Sequence, residues 1–381
     1  MTARAVSAPP TVDHALVREI KNREDARFAD SHPRSAELWA RGRDVMPNGV
    51  PMSWLRGSYH HIPMWVAHGK GARFTDVDGH SYSDFNIADM SMFCGYAPEP
   101  LVRAVSERMA SGNQFLLPTE DALVVSEELG RRYGLPKWQF TLSASQANTE
   151  AIRVARVSTG RDKVLMFDGK YHGHFDDALV ELDATGRLVP EERGLPSDVT
   201  HHTKVVPFND PEALRAALEP RDVAIVLTEP ALTNNFGLIL PEEGFHDALR
   251  SATQETGTLL ALDETHTQVV GPGGLTAAWG LLPDLVTSGK SIAGGVPFGA
   301  YGMTDDVAEV LTQQKGPDGE RSDLVATGGT LFANALSMAA ARATMLEILT
   351  PDAYAGTQRL GAKLAEGMRE AVERSGLPWH I

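Results

Sequence analysis

From about residue 99 to residue 289, helical stretches alternate with short apolar segments that have strand character. The predicted helices are 99–110, 119–132, 145–158, 211–219 and 241–256. The predicted strands are 138–142, 163–167, 204–208, 223–229, 258–264 and 284–289. This alternation predicts an α/β fold with a mostly parallel sheet covered on both faces. Because ligands of such sheets bind at the carboxyl ends of the strands, the functional residues are expected there.

The chain has 381 residues, which is enough for two domains. Residues 63–85 are typical of short strands, and the segment after Ala333 is predicted to be mostly helical. We therefore expect residues 1–85 to form the N-terminal part of a small domain. Residues 86–334 would form a large domain, and residues 335–381 would begin the C-terminal part of the small domain.

The charge balance restricts the partners of this chain. Acidic residues outnumber basic ones by 50 to 35, and the net charge of −15 disfavours binding to nucleic acid or to an anionic membrane. The single cysteine, Cys94, allows no internal disulfide and fits a reducing compartment. The first residues lack the apolar core of a signal peptide, and no apolar run could cross a bilayer. These features predict a cytoplasmic enzyme that acts on small molecules.

Lys290 is the first candidate for chemistry, because it follows the apolar strand 284–288 and has small neighbours. A lysine in a cleft can lose its proton and become a nucleophile toward aldehydes. A solvated surface lysine is the common alternative. Gly289-Lys290-Ser291 also matches the end of a nucleotide-binding P-loop. However, the first glycine of that motif would fall on Asp284, whose carboxylate would repel phosphate.

Asp263 ends a buried strand, where a carboxylate can pair with a protonated pyridine nitrogen. A helix cap or a metal ligand, shared with Glu264 and His266, is the alternative. Adjacent residues of a strand point to opposite faces of the sheet, so the three side chains are not expected to bind one metal ion.

Three further segments carry weaker signals. Ser143-Ala144-Ser145 precedes an alanine-rich helix, and the N–H groups at a helix start suit a phosphate, although simple capping is as common. Tyr171 follows strand 163–167 and could stack on a flat ring or merely pack. Gly328-Gly329-Thr330 is a glycine turn that could also contact a phosphate.

From about Pro47 to its end, the chain resembles the class III aminotransferases, which are pyridoxal 5'-phosphate (PLP) enzymes of fold type I. The likeness is greatest to the glutamate-1-semialdehyde aminomutases and their aminotransferase relatives. The segments that carry it, in order, are FTDVDGHSYSDF, FTLSASQAN, YHGHFDDALV, TEPALTNN, LALDET, SGKSIAGGVPFGAYG and GGTLFANALSMAA.

The resemblance implies a role for each candidate. Lys290 would form a Schiff base with PLP and would move the proton during catalysis, while Asp263 would hold the ring nitrogen. Tyr171 would stack on the ring. The further cofactor contacts that the resemblance implies are Ser143, Ala144 and Ser145 at the phosphate, Asn234 near the ring hydroxyl, Thr265 under the ring, and Thr330 at the phosphate of a neighbouring subunit. The last of these implies a homodimer.

Two residues are candidates for substrate binding. Arg56 lies within one residue of the position where the aminomutases place an arginine for the substrate carboxylate. Asp89 replaces an aromatic residue of the aminomutases, which indicates a different substrate, for instance one with an extra amine. The resemblance also implies that relatives continue beyond Ile381 and complete the small domain there.

The sequence thus predicts a PLP-dependent aminotransferase that moves an amino group from an amino acid or amino-carboxylate donor to a keto or aldehyde acceptor. One alternative is intramolecular amine transfer, as in the aminomutases. A second alternative, from another class, is a protein that binds PLP without turnover.

Overall fold

The computed structural model describes residues 13–57, 61–234, 237–312, 325–376, 379 and 381. The chain divides into two compact units. The first comprises residues 1–87, 95–97 and 356–381, and the second comprises residues 88–94 and 98–355.

The described part of the first unit contains three N-terminal helices and a small antiparallel sheet. Its elements are α1 (His14–Ser31), α2 (Pro33–Gly42), α3 (Trp54–Gly57), β1 (Val66–Lys70), β2 (Arg73–Asp76) and β3 (Ser81–Ser83). The three strands pair in the order β1-β2-β3. Asp13 caps α1, and its Oδ1 accepts hydrogen bonds from the N–H groups of Ala15 and Leu16. The turn after β2 supplies Asp78, which accepts from the N–H groups at the start of α2.

The second unit alternates helices and strands. Its helices are α4 (Glu99–Ser111), α5 (Glu120–Tyr133), α6 (Ala144–Thr159), α7 (Pro211–Leu218), α8 (Phe245–Thr256), α9 (Gly274–Ala278), α10 (Asp305–Ala308) and α11 (Ala335–Ala343). Its strands are β4 (Lys137–Thr141), β5 (Lys163–Phe167), β6 (Val180–Leu182), β7 (Leu188–Pro190), β8 (Thr203–Val206), β9 (Val223–Thr228), β10 (Leu232–Asn234), β11 (Gly237–Ile239), β12 (Leu259–Asp263), β13 (Leu285–Ser288) and β14 (Gly299–Met303). A last helix, α12 (Pro351–Ser375), starts in the second unit and ends in the first.

A seven-stranded sheet forms the centre of the second unit, in the order β4-β14-β13-β12-β9-β5-β8. The pairs β8-β5, β5-β9, β9-β12 and β12-β13 are parallel. Strand β14 is antiparallel to both of its neighbours. The carboxyl ends of the six other strands therefore lie along the same edge of the sheet.

Both faces of this sheet are buried, and the alternation of side chains assigns each residue to a face. Along β5, Val164 and Met166 pack in the hydrophobic cluster that includes the alanine-rich face of α6. Leu165 and Phe167 pack in the other cluster, together with side chains of α5, α7, α8 and α11. The two clusters explain why these strands are continuously apolar instead of alternating.

These features confirm the α/β fold with a mostly parallel sheet that was predicted from the sequence. The predicted strands match the observed ones to within a few residues at each end, and the segment after Ala333 is mostly helical as expected.

Strand β14 was not predicted, because two glycines and an alanine in its sequence GAYGM lower its strand propensity. A side chain at Gly302 would lie 2.5 Å from the ring of Trp138 on the neighbouring strand, and one at Gly299 would lie 2.2 Å from the carbonyl oxygen of Ser143. Close packing therefore selects glycine in this strand at the expense of strand propensity.

Within the described part of the chain, none of the helices combines the length and the apolar composition that crossing a membrane requires.

Candidate active site

Residues from the carboxyl edge of the sheet converge on one cavity of about 250 Å³ inside the second unit. Segments that follow β4, β5, β9, β12 and β13 contribute to its wall. The predicted site residues that line it are Asp89, Ser143, Ala144, Ser145, Tyr171, Asp263, Thr265 and Lys290. The strand arrangement thus brings together residues that are up to about 200 positions apart in the sequence.

The start of α6 forms one end of the cavity. Ser143 is the N-cap of this helix, and its hydroxyl accepts a hydrogen bond from the N–H of Gln146. The first N–H groups of a helix have no acceptor inside the helix and carry the positive end of its dipole. Ala144 and Ser145 line the cavity at this point, so this end suits an anionic group such as a phosphate.

Gly173 allows the segment after β5 to lie close to the start of α6. Gly173 has a φ of +110°, and a Cβ there would lie 2.0 Å from the hydroxyl oxygen of Ser145. The N–H of the next residue, His174, donates to that same oxygen over 3.3 Å. A larger residue at position 173 would displace Ser145 from the cavity wall.

Asp263 is a buried carboxylate that remains charged. Burial by itself would raise its pKa, but hydrogen bonds from His172, Thr265 and Asn148, together with the charge of His172, outweigh burial and lower the pKa. His172 Nδ1 and Asn148 Nδ2 each lie 2.9 Å from Oδ2, and the N–H of Thr265 lies 3.0 Å from Oδ1. The result is a fixed negative charge in the cavity wall.

Asp263 and Glu264 point to opposite faces of the sheet, as adjacent strand residues must. The Glu264 carboxylate accepts hydrogen bonds from Thr267, Leu275 and Thr276, and its pKa is raised by burial. It therefore serves to anchor the segment behind the strand and does not share a ligand with Asp263.

Asn148 was missed by the sequence analysis, although it is central to the site. Its amide donates to Asp263 and to the carbonyl of His172, and its oxygen accepts from the hydroxyl of Thr287. The residue is fully buried on an alanine-rich face of α6. A lone amide among alanines was the available signal, because a buried polar side chain needs hydrogen-bond partners.

Lys290 follows β13, and its amine reaches into the cavity. Its φ of 50° is in the left-handed region, which is uncommon for a residue with a side chain and is found at functional sites. Asp89 Oδ2 lies 2.8 Å from Nζ. Asp89 itself lies in a left-handed turn, in which Ala88, Asp89 and Met90 have φ values of 46°, 54° and 66°.

His266 is a second residue whose importance only the structure reveals. Its Nε2 lies 2.5 Å from the Lys290 amine, and its Nδ1 faces the hydroxyl of Thr233 at 2.7 Å. From the sequence alone, His266 was recognisable only as a candidate metal ligand beside Asp263. The short helical segment after β12 turns the ring away from Asp263 and toward Lys290.

Three of the predicted site residues are not among those that line the cavity. Thr330 is exposed and is not part of the cavity wall, and its carbonyl accepts from Gln114, so its predicted contact depends on a second copy of the chain. Asn234 ends β10, but its side chain lies outside the part of the chain that is described. Arg56 belongs to the first unit, where its guanidinium lies over the ring of Trp39 and donates to the carbonyl of His61.

The cavity contains polar atoms that suit a bound polar ring. Within the described residues, the buried Nε2 of His172 has no hydrogen-bond partner. Buried polar atoms in native proteins are nearly always paired, so this atom indicates a ligand or ordered water. Tyr171, half exposed, lines the same cavity, and burial raises the pKa of its hydroxyl above the ordinary value. A flat anionic pyridine derivative fits this set of residues.

Comparisons with known proteins agree with this geometry. The model of the aminotransferase class-III family matches residues 55–378. The chain is 35% identical to a glutamate-1-semialdehyde 2,1-aminomutase from Anaeromyxobacter sp. (strain Fw109-5), over 91% of this chain and 80% of that protein.

Solved structures give the same result. A glutamate-1-semialdehyde-aminomutase from Pseudomonas aeruginosa PAO1 superimposes with a TM-score of 0.90 at 41% identity, covering 97% of this chain and 82% of that chain. A variant of it, in which one lysine is replaced by alanine, was solved in complex with PMP. An omega-transaminase from Sphaerobacter thermophilus superimposes with a TM-score of 0.83 at 33% identity, covering 90% and 79% of the two chains.

The fold, the cavity and these similarities lead to one conclusion. The chain belongs to the class III aminotransferase family, whose cofactor is pyridoxal 5'-phosphate.

Proposed function

We propose that this protein is an aminotransferase that uses PLP to move an amino group from an amino acid or amino-carboxylate donor to a keto or aldehyde acceptor. The observation that carries the proposal is the convergence of Lys290, Asp263 and the start of α6 on one cavity. These three features would hold the aldehyde side, the ring nitrogen and the phosphate of the cofactor, respectively.

When bound, PLP supplies an electron sink for a carbanion at the substrate carbon. Asp263 would keep the ring nitrogen protonated, because its own charge is fixed by Asn148 and His172. Ser143, Ala144 and Ser145 would hold the phosphate, Tyr171 would cover the ring, and Thr265 would lie beneath it. Asn234 is proposed near the ring hydroxyl.

Lys290 would hold the cofactor covalently through its amine and, once released, would move the proton between two carbons. Both tasks require an unprotonated amine that is held in place. The left-handed backbone at Lys290 and the hydrogen bond from Gln268 to the carbonyl of Gly289 fix the segment that carries it.

Asp89 and Arg56 are proposed to select the substrate. The side chain of Asp89 is 61% exposed and faces the Lys290 amine, so it is accessible to an amine of the substrate. Arg56 would bind a carboxylate of the substrate in a bidentate pair. Thr330 is proposed to reach the cofactor phosphate of a partner subunit, which makes a homodimer the functional unit. The cytoplasm is the proposed location.

Intramolecular amine transfer is the second candidate, since relatives with 35% and 41% identity are named as glutamate-1-semialdehyde aminomutases. Asp89 argues against this candidate, because its carboxylate stands where those enzymes have an aromatic residue.

A spectral half-reaction tests the proposal. Purified protein loaded with PLP is mixed with a panel of amino donors, and the visible band of the bound cofactor is followed. At least one donor is expected to bleach it and to yield a carbonyl product, whereas the Lys290→Ala variant should not respond. A visible band that stays unchanged across a broad panel would favour a protein that binds PLP without turnover.

Two further measurements separate the alternatives. Borohydride reduction followed by peptide mapping should leave a pyridoxyl label on Lys290. Incubation of the protein loaded with pyridoxamine phosphate (PMP), the aminated form of the cofactor, with glutamate-1-semialdehyde should give 5-aminolevulinate only if the aminomutase reaction occurs.

A further inference from the structure

His266 and Lys290 form a contact that the proposed function does not use. His266 Nε2 lies 2.5 Å from Lys290 Nζ, within hydrogen-bond distance of the atom that would bond to the cofactor. Only 12% of the His266 side chain and 18% of the Lys290 side chain are exposed. The pair is therefore shielded from bulk water, where proton exchange with solvent would be easy.

The hydrogen bonds around His266 determine which ring nitrogen carries the proton. Glu229, almost fully buried, can only accept hydrogen bonds, and the hydroxyl of Thr233 donates to its Oε2. The oxygen of that hydroxyl then accepts from His266 Nδ1 at 2.7 Å, and Glu229 Oε2 itself lies 3.3 Å from Nδ1. The proton of the neutral ring is thus on Nδ1, and Nε2 directs its lone pair at Lys290.

We infer that His266 accepts a proton from the ammonium form of Lys290, and that Glu229 and Thr233 position the His266 ring for this role. The inference rests on the proposed function, in which Lys290 holds the cofactor. In the step, an N–H bond of the Lys290 ammonium breaks and an N–H bond forms at His266 Nε2. The electron pair stays on Lys290 Nζ, and the negative charge of Glu229 stabilises the resulting imidazolium.

Several charged groups lie around the pair. Asp89 accepts a hydrogen bond from the same ammonium on its other side, at 2.8 Å. The titratable groups that face the pair from the packed elements are Glu229 after β9, Asp89 before α4, Tyr171 and His172 after β5, and Asp263 at the end of β12. His172 and His266 are both imidazoles, the side-chain type that ordinarily changes charge between pH 5 and 8, but His172 is paired with Asp263 and His266 is the one that contacts the Lys290 amine.

The test measures how fast Lys290 takes up the cofactor, independently of turnover. Full-length protein freed of cofactor is mixed with PLP at pH values from 5 to 9. Aliquots are reduced with borohydride, and the pyridoxyl label on Lys290 is quantified by mass spectrometry. In the wild type, the rate is expected to rise through pH 5–8, as expected for a base of the imidazole type.

Variants assign that rise to His266. His266→Asn should slow labelling at pH 7 by about a hundredfold, the lower end of the range for general base catalysis, and should move the rise to higher pH, where Lys290 loses its proton to solvent without a neighbouring base. Thr233→Val should reproduce part of this loss, and Thr233→Ser, which keeps the hydroxyl, should not. His246→Asn is the matched control, because His246 is a half-buried histidine of the same unit that is not in the cavity wall.

Chemical rescue separates a base from a structural residue. Added imidazole should restore the rate, and its rise through pH 5–8, in His266→Gly but not in Thr233→Val. Unchanged pH profiles in His266→Asn and Thr233→Val, with Lys290 still labelled, would overturn the role of His266 while leaving the proposed function intact. An absence of label on wild-type Lys290 would instead overturn the proposed function.

Discussion

Two buried aspartates, one in each unit of the chain, lie next to histidines but are held in opposite ways. Asp76 is held by its own turn: its Oδ1 accepts from the N–H groups of Asp78 and His80, and its Oδ2 accepts from the hydroxyl of Tyr82. Asp263 is held by residues far away in the sequence. Asn148 and His172, which donate to its Oδ2, are 115 and 91 positions distant.

Both carboxyl groups have a lowered pKa, although burial alone would raise it. Hydrogen bonds outweigh burial in both cases. The two carboxylates differ in the groups that surround them. Both oxygens of Asp76 accept hydrogen bonds from the turn and the strand next to it, and His32 Nε2 lies 3.1 Å from Oδ2, so its charge stabilises structure within the first unit. Asp263 lines a cavity, so its charge can act on a ligand.

The largest effect is expected from Asp263→Asn, which removes the charge and keeps the shape. The half-reaction with an amino donor should slow by about 10²–10³-fold, since a preorganised charge that stabilises the transition state is lost. Stopped-flow absorbance measures the rate, and circular dichroism checks the fold. Asp76→Asn is the matched control and should react at nearly the wild-type rate. Equal losses in both variants would contradict the distinction between the two carboxylates.

A smaller effect is expected from the histidines that contact the two carboxylates. His172→Gln should weaken the hold on Asp263 and reduce the half-reaction rate by about 10–100-fold, by analogy with residues that orient metal ligands. His80→Gln, at an exposed position beside Asp76, should change the rate by less than about twofold. A His172→Gln variant that reacts at the wild-type rate would show that Asn148 and the N–H of Thr265 suffice to orient Asp263.

The third prediction concerns stability and pH in the first unit. Asp76→Asn should lower the local free energy of opening by about 1–3 kcal/mol at pH 7, because buried donors lose a charged acceptor. Since the folded pKa of Asp76 is lowered, its contribution is fully present above about pH 4 and is lost as the pH falls through the folded value.

Hydrogen–deuterium exchange of residues 66–83 at pH 7 and at pH 3 measures this contribution. The difference between wild type and Asp76→Asn should shrink at the lower pH. A difference that is the same at both pH values would show that packing, and not the carboxylate charge, stabilises the turn.

The two regions also differ in how well the sequence predicted them. The turn DVDGH between two short strands was recognisable, because its residue types are typical of a turn and Asp76 accepts from the N–H groups of Asp78 and His80 within it. Lys290 and Asp263 were recognisable as well, since each follows a buried apolar strand. Asn148 and His266 were not assigned their roles, because their partners are set by the order of the strands in the sheet. Strand β14 was missed because glycines required for close packing hide its strand character.

The sequence by itself determined the alternation of helices and strands, and with it the parallel sheet and the edge at which chemistry occurs. These follow from the period of apolar residues, which is a local property. Only the tertiary structure decided that Asn148 and His172 fix the charge of Asp263, and that His266 faces Lys290. These partners lie between 24 and 115 positions apart, so their distances depend on how the strands are ordered, and no local pattern carries that order.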